Sequence, residues 1–118
     1  MKPTVLSTAD FVKTIGDAVS DPKNWKYQGN KPAVVDFHAP WCSYCKRLYP
    51  ILDELTEEYK DKVDFYTVDV DQEEPLETAF NIRTIPTLLL CTPGGYKELT
   101  LGTMPKNELK KLIDEKLL

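Results

Sequence analysis

Ala33-Val34-Val35-Asp36-Phe37-His38-Ala39-Pro40-Trp41-Cys42-Ser43-Tyr44-Cys45-Lys46 is the stretch on which the fold turns. Its first six residues form a near-continuous apolar run of strand length, the pattern of a central strand covered on both faces. Beyond Cys42 the period changes. Leu48, Ile51, Leu52, Leu55 and Tyr59 recur at helical spacing and predict a helix from about Cys42 to Lys60. Pro50 falls inside it, where it removes one backbone hydrogen bond and is expected to kink the axis.

Upstream, Val5-Leu6 predicts a short edge strand, with Ser7, Thr8 and Asp10 as helix caps. Phe11, Val12, Ile15 and Val19 then predict a helix from about Ala9 to Val19. A polar and aromatic loop, Ser20 to Pro32, is broken by Asp21-Pro22 and Gly29-Asn30. Downstream, Val63 to Val70 is a strand, Glu73 to Phe80 a short helix, and Thr87 to Cys91 a second buried strand. Thr92-Pro93-Gly94-Gly95 turns the chain into a hairpin strand, Tyr96 to Leu101. Pro105 opens a last helix with Leu109, Leu112, Ile113 and Leu117 on one stripe. The order β-α-β-α-β-α-β-β-α predicts an α/β fold. Its mixed central sheet is parallel in the first part, antiparallel in the closing hairpin, and flanked by helices on both faces.

With 118 residues the chain fits one domain, 1–118, large enough to bury a core without staples. At 42% hydrophobic and 29% charged residues with a net charge of −4, it reads as an ordinary globular protein without the basic face that nucleic acid requires. No stretch approaches the roughly 20 apolar residues that span a bilayer, so no membrane insertion is expected. Met1-Lys2-Pro3-Thr4 has no apolar run behind it and shows no secretory signal. The cytoplasm is therefore the expected compartment, a mature periplasmic form being the alternative.

Of three cysteines, Cys42 and Cys45 are two residues apart and Cys91 is far downstream. Positions i and i+3 on the first turn of a helix share one face and can close a disulfide if the side chains point at each other. The helix N-terminus, with its partial positive charge and free N–H groups, stabilises a thiolate. Cys42 is better placed there than Cys45, so Cys42 is expected to attack and Cys45 to resolve the mixed disulfide. Asp36 admits two readings. It sits at an exposed strand end and is merely solvated, or it lies under the cysteines with a raised pKa and takes the Cys45 proton. Cys42, Cys45, Cys91 and His38 would also number enough for a zinc site, but Cys91 lies mid-strand and no second paired cluster exists, so no metal is expected. Cys91 reads as a small core hydrophobe. Tyr59, Phe65 and Phe80 read as core, and Glu73, Glu74, Lys106, Lys110 and Lys111 as solvated helix faces.

Taken together, Val34-Val35-Asp36-Phe37, Ala39-Pro40-Trp41-Cys42-Ser43-Tyr44-Cys45-Lys46, Pro50-Ile51-Leu52, Val68-Asp69-Val70-Asp71, Ile82-Arg83-Thr84-Ile85-Pro86-Thr87 and Gly102 resemble the thioredoxin family over nearly the whole chain. The resemblance implies the thioredoxin fold and protein thiol–disulfide exchange through a redox-active Cys42–Cys45 disulfide, with no cofactor. It also implies disulfide-containing protein substrates, a reductase as electron donor, and a monomer. It makes Pro86 a cis-proline against the disulfide, places Trp41 beside Cys42, and makes Asp36 the buried carboxylate. Ile85 and Gly102 would line a shallow substrate groove with Trp41 and Pro86. Without it, Ile85-Pro86 would be expected to be trans.

Three departures from the family pattern stand out. Ser43-Tyr44 replaces the usual Gly-Pro, and with Lys46 these residues are expected to tune the couple. Thr67 stands where a lysine is common near the buried carboxylate, which should leave the Asp36 pKa higher still. His38 takes a place often held by an aromatic, either tuning Cys42 or simply solvated. The loop from Asn24 to Pro32 is also longer than in compact members, with Trp25 and Tyr27 expected to cover a core edge. Besides a protein-disulfide reductase, the sequence admits an oxidase or isomerase suggested by Ser43-Tyr44. It also admits a redox-inert binding module, against which both cysteines weigh.

Overall fold

The computed structural model describes residues 1–118. It contains β1 (Thr4–Val5), α1 (Thr8–Thr14), β2 (Ala33–His38), α2 (Ser43–Glu58), β3 (Asp64–Asp69), α3 (Glu74–Ala79), β4 (Thr87–Cys91), β5 (Lys97–Leu101) and α4 (Lys106–Lys116). The strands form one sheet in the order β1-β3-β2-β4-β5. β1, β3 and β2 run parallel, whereas β4 is antiparallel to β2 and β5 to β4. The predicted α/β class, element order and mixed pairing all appear in this sheet.

Alternation along β2 divides the core in two. Ala33, Val35 and Phe37 enter a cluster with Phe11 and Ile15 from the α1 segment and Leu76 from α3. Val34 enters the opposite cluster, with Leu48, Leu52 and Leu55 from α2 and Leu109 and Ile113 from α4. Helices therefore cover both faces, and β2 is buried on both, as its continuous apolar run predicts. By the same alternation Asp36 shares the face of Val34 and looks toward α2.

Several expectations are corrected by the packing. α1 ends at Thr14 rather than Val19, because Gly16 adopts φ +152° and Val19 is exposed. A Cβ on Gly16 would lie 2.5 Å from the Lys26 carbonyl oxygen and 2.7 Å from the Trp25 ring. The helix stops there so that the long loop can fold back, with Gln28 N–H donating to the Ile15 carbonyl at 2.9 Å. Trp25 is buried by this return, its ring centroid 6.3 Å from Phe11 and 5.8 Å from Phe80, so it fills core and does not merely border it. Glu73 is not simply solvated, since its carboxylate accepts from the Thr8 N–H at 2.8 Å and hydroxyl at 3.0 Å, tying α1 to α3. Lys106 and Lys110 pair with Glu58 on α2, and Lys106 also with Glu54, clamping α4 to α2. Pro50 leaves α2 helical on both sides and is itself exposed.

Candidate active site

The site forms where β2 ends and α2 begins. Ala39, Pro40 and Trp41 turn the chain, and Cys42 becomes the N-cap of α2 with φ −84° and ψ 112°. Its Sγ accepts the Cys45 backbone N–H at 3.1 Å, the place a serine or aspartate oxygen occupies in an ordinary cap. Cys42 and Cys45 are joined in a disulfide with Cα atoms 5.2 Å apart. Cys42 keeps 5% of its surface accessible and Cys45 none, so only the first cysteine of the pair reaches the surface. When the bond is reduced, the capping N–H and the partial positive charge of a sixteen-residue helix both favour a thiolate on Cys42.

The antiparallel register pairs Phe37 with Thr87, which sets Pro86 beside the end of β2. The Ile85–Pro86 peptide is cis, and the Ile85 carbonyl oxygen lies 3.8 Å from Cys42 Sγ. The Ile85 side chain itself turns to the core cluster under α1 and α3, so at the disulfide Ile85 contributes its carbonyl. Gly102 donates its N–H to the Pro86 carbonyl at 2.9 Å. A Cβ there would meet Leu48 at 3.0 Å, Leu88 at 3.3 Å and Pro86 at 3.4 Å, so this close approach explains the glycine. Gly102 also lines a groove of about 280 Å³ with Tyr44, Arg47, Ile51, Thr103 and Met104.

Trp41 is 68% exposed beside Cys42, and its indole N–H donates to the Asp71 carboxylate at 2.7 Å. Asp71 in turn donates its backbone N–H to Asp69 Oδ1 at 2.9 Å, so the exposed ring is tethered rather than free. Ser43, Tyr44 and Lys46 are exposed around the helix start, with the Arg47 guanidinium carbon 5.4 Å from the Tyr44 ring centroid.

Asp36 is fully buried, and neither carboxyl oxygen receives a hydrogen bond from the protein. Burial disfavours the charged form and pushes its pKa up to about 7. No cation offsets this, because the residue paired with Asp36 across the parallel ladder is Thr67. Cys45, Tyr49 and Leu52 share one stripe of α2, and Asp36 faces that helix. His38 is turned toward α2. It is half-buried, and its Nδ1 is 2.8 Å from the Tyr49 hydroxyl. Cys91 lies on the opposite face of the sheet among the α1 cluster, with Sγ 3.9 Å from the Ala33 carbonyl, and burial pushes its pKa up to about 12. The four residues that would number enough for zinc are thus not brought together. From the sequence, Tyr49 has no place in the site and Asp71 stands only within the Val68–Asp71 motif, without a role. The one signal for Tyr49 was its position four residues after Cys45, where a polar group interrupts the apolar stripe.

A disulfide spanning the N-cap and first turn of a helix, with the Ile85 carbonyl against its outer sulfur and a buried carboxyl in the preceding strand, defines a thiol–disulfide exchange centre. A thioredoxin family model matches residues 18–115. The chain is 34% identical over 110 residues to a thioredoxin of Borreliella burgdorferi, covering 93% of each chain. It is 44% identical over 84 residues to a thioredoxin of Mycoplasmoides gallisepticum, covering 71% of this chain and 83% of the relative. It is also 38% identical over 116 residues to the chloroplastic M-type thioredoxin of Spinacia oleracea, covering 96% of this chain but only 63% of that longer protein. The chain belongs to the thioredoxin family, and its activity is protein-disulfide reduction by thiol–disulfide exchange through Cys42 and Cys45. No helix is long and apolar enough to cross a membrane.

Proposed function

We infer that the chain acts as a general cytoplasmic, monomeric protein-disulfide reductase in which Cys42 attacks, Cys45 resolves and Asp36 moves the proton. The observation that supports this assignment is the Cys45 N–H donated to Cys42 Sγ at the N-cap of α2, a position that favours a thiolate on that sulfur.

A Cys42 thiolate attacks one sulfur of a substrate disulfide, forming Cys42–S–S–substrate and releasing the other substrate sulfur as a thiolate. Cys45 then gives its proton to the Asp36 carboxylate and attacks Cys42 Sγ, closing the Cys42–Cys45 bond and releasing the second substrate thiolate. A pKa near 7 suits a group that accepts and returns one proton per cycle at neutral pH. Trp41, the Ile85 carbonyl, Pro86 and Gly102 hold an extended substrate segment beside Cys42, while Ser43, Tyr44 and Lys46 tune the couple. A reductase resembling thioredoxin reductase returns two electrons to the disulfide, and no other cofactor is needed.

Reduction of insulin disulfides with dithiothreitol as electron source tests the activity, and failure to turn over would favour a redox-inert binding module. Equilibration against glutathione tests its direction. A potential near the roughly −270 mV typical of thioredoxins supports the reductase, and one above about −200 mV supports an oxidase or isomerase.

A further inference from the structure

A carboxyl that takes the Cys45 proton has to exchange it with solvent as well, and Asp36 is fully buried. The surroundings of Asp36 offer a route. Asp36 and His38 lie on the same face of β2, roughly 7 Å apart along the strand. The parallel ladder sets Thr67 beside Asp36 and Asp69 beside His38. From α2, Tyr49 reaches over this group, with its hydroxyl 2.8 Å from His38 Nδ1 and the two rings edge to face at 5.4 Å. His38, Tyr49 and Thr67 line a cavity of about 200 Å³ together with Leu52, Asp53 and the Lys2–Pro3 segment. A hydrogen-bonded phenol and imidazole thus line the cavity, and Thr67, the ladder neighbour of the buried Asp36, lines it too.

We propose that Tyr49 and His38 form the path by which Asp36 exchanges its proton with solvent. This path rests on the base role of Asp36 proposed above. No protein group hydrogen-bonds the Asp36 carboxyl, so outward its proton crosses one bridging water to Tyr49 Oη as the Tyr49 proton passes to His38 Nδ1, and the imidazolium gives its Nε2 proton to the cavity. When the disulfide is reduced again, Cys45 leaves as a thiolate and needs a proton, which travels inward and restores the histidine tautomer. No group gains or loses a proton over the full cycle.

The electrostatics fit this path. Burial holds His38 below its ordinary pKa against the pull of Asp69, which favours the neutral imidazole that can accept a proton. Tyr49 is raised by burial and then by the negative charges of Asp36 and Asp69, so its hydroxyl keeps its proton until one arrives. The other charged groups facing the cavity are Lys2 from the N-terminal segment and Asp53 from α2. β4 presents only Leu88 and Leu90 on this side.

Stopped-flow oxidation of the reduced protein by Ellman's reagent separates the two steps, the first thionitrobenzoate reporting attack by Cys42 and the second attack by Cys45. At pH 6 most Asp36 carboxyls start protonated, and the second phase has to wait for that proton to leave. In Tyr49→Phe and His38→Gln the second phase is expected to slow about tenfold at pH 6 and less than about twofold at pH 8, with the first phase unchanged. In His38→Gln, added imidazole is expected to restore the pH 6 rate in proportion to its concentration. Second phases equal to wild type at pH 6, or slowed equally at both pH values without response to imidazole, would overturn the path. Asp36→Asn separates the two proposals. If it leaves the second phase unslowed at every pH, the base role fails; if it slows that phase while the other two variants do not, only the path fails.

Discussion

The two ends of the β2–β4 strand pair hold the same chemical group in opposite states. At one end Cys91 sits opposite Ala33, packed among apolar side chains on the α1 face. At the other end Cys42 caps a helix beside Pro86, with its sulfur accepting an N–H and part of its surface open. Burial alone raises a thiol pKa, as at Cys91, whereas a helix N-terminus lowers it. Reactivity in this molecule is thus set by where a cysteine meets the backbone and not by how many cysteines there are. Asp36 lies between the ends and shares the dryness of the first with the chemistry of the second.

The largest expected effect is the loss of function at one end only. Cys42→Ser should reduce insulin turnover to the uncatalysed rate, and Cys91→Ala should keep it within about twofold, as any site far from the reacting atoms would. A Cys91→Ala enzyme as inactive as Cys42→Ser would erase the contrast.

Stability against pH gives the next effect. The Asp36 carboxyl titrates near 3.8 when unfolded and about 7 when folded, so the folded state holds the proton more tightly. Stability should therefore fall as pH rises from 4 through 7 and level off above, by about 4 kcal/mol from this group. Asp36→Asn should be more stable than wild type at pH 8, with little difference at pH 4. Urea unfolding curves at both pH values check this, and a variant less stable at pH 8 would show that the buried charge is compensated.

A smaller change is expected in rate. Asp36→Asn should slow release from the mixed disulfide by roughly 100-fold at pH 8 and leave the initial attack by Cys42 nearly unchanged. Equal slowing of both steps would remove Asp36 from the proton transfer. The smallest effect concerns Cys91 itself. Truncation to Ala should cost about 1 kcal/mol of stability, since one buried sulfur is lost from a packed site.

The reactive end was far more legible in the sequence than its surroundings. The apolar run Ala33–His38 announced a doubly covered strand, and the spacing of Cys42 and Cys45 at the next helix start announced the chemistry. Asp36 stood out because a carboxylate in such a run is costly. The cis Ile85–Pro86 bond followed only from family resemblance, since local sequence favours trans. Other features depend on chain segments that meet only in the fold. Glu73 caps α1 from 65 residues away, Asp71 holds Trp41 across 30 residues, and Tyr49 binds His38 across 11. The end of α1 was misread because Val19 continues the helical period, while Gly16 takes a backbone conformation that periodicity does not register.

The most direct test of the whole account is a trapping measurement on Cys45→Ser. With the resolving thiol removed, incubation with a disulfide-containing protein followed by peptide mass spectrometry should find the substrate linked to Cys42 in near-stoichiometric yield, with Cys91 unmodified. Adducts on Cys91, or a Cys45→Ser protein that still turns over insulin at the wild-type rate, would contradict the assignment of the two thiols and the contrast between the two ends of the sheet.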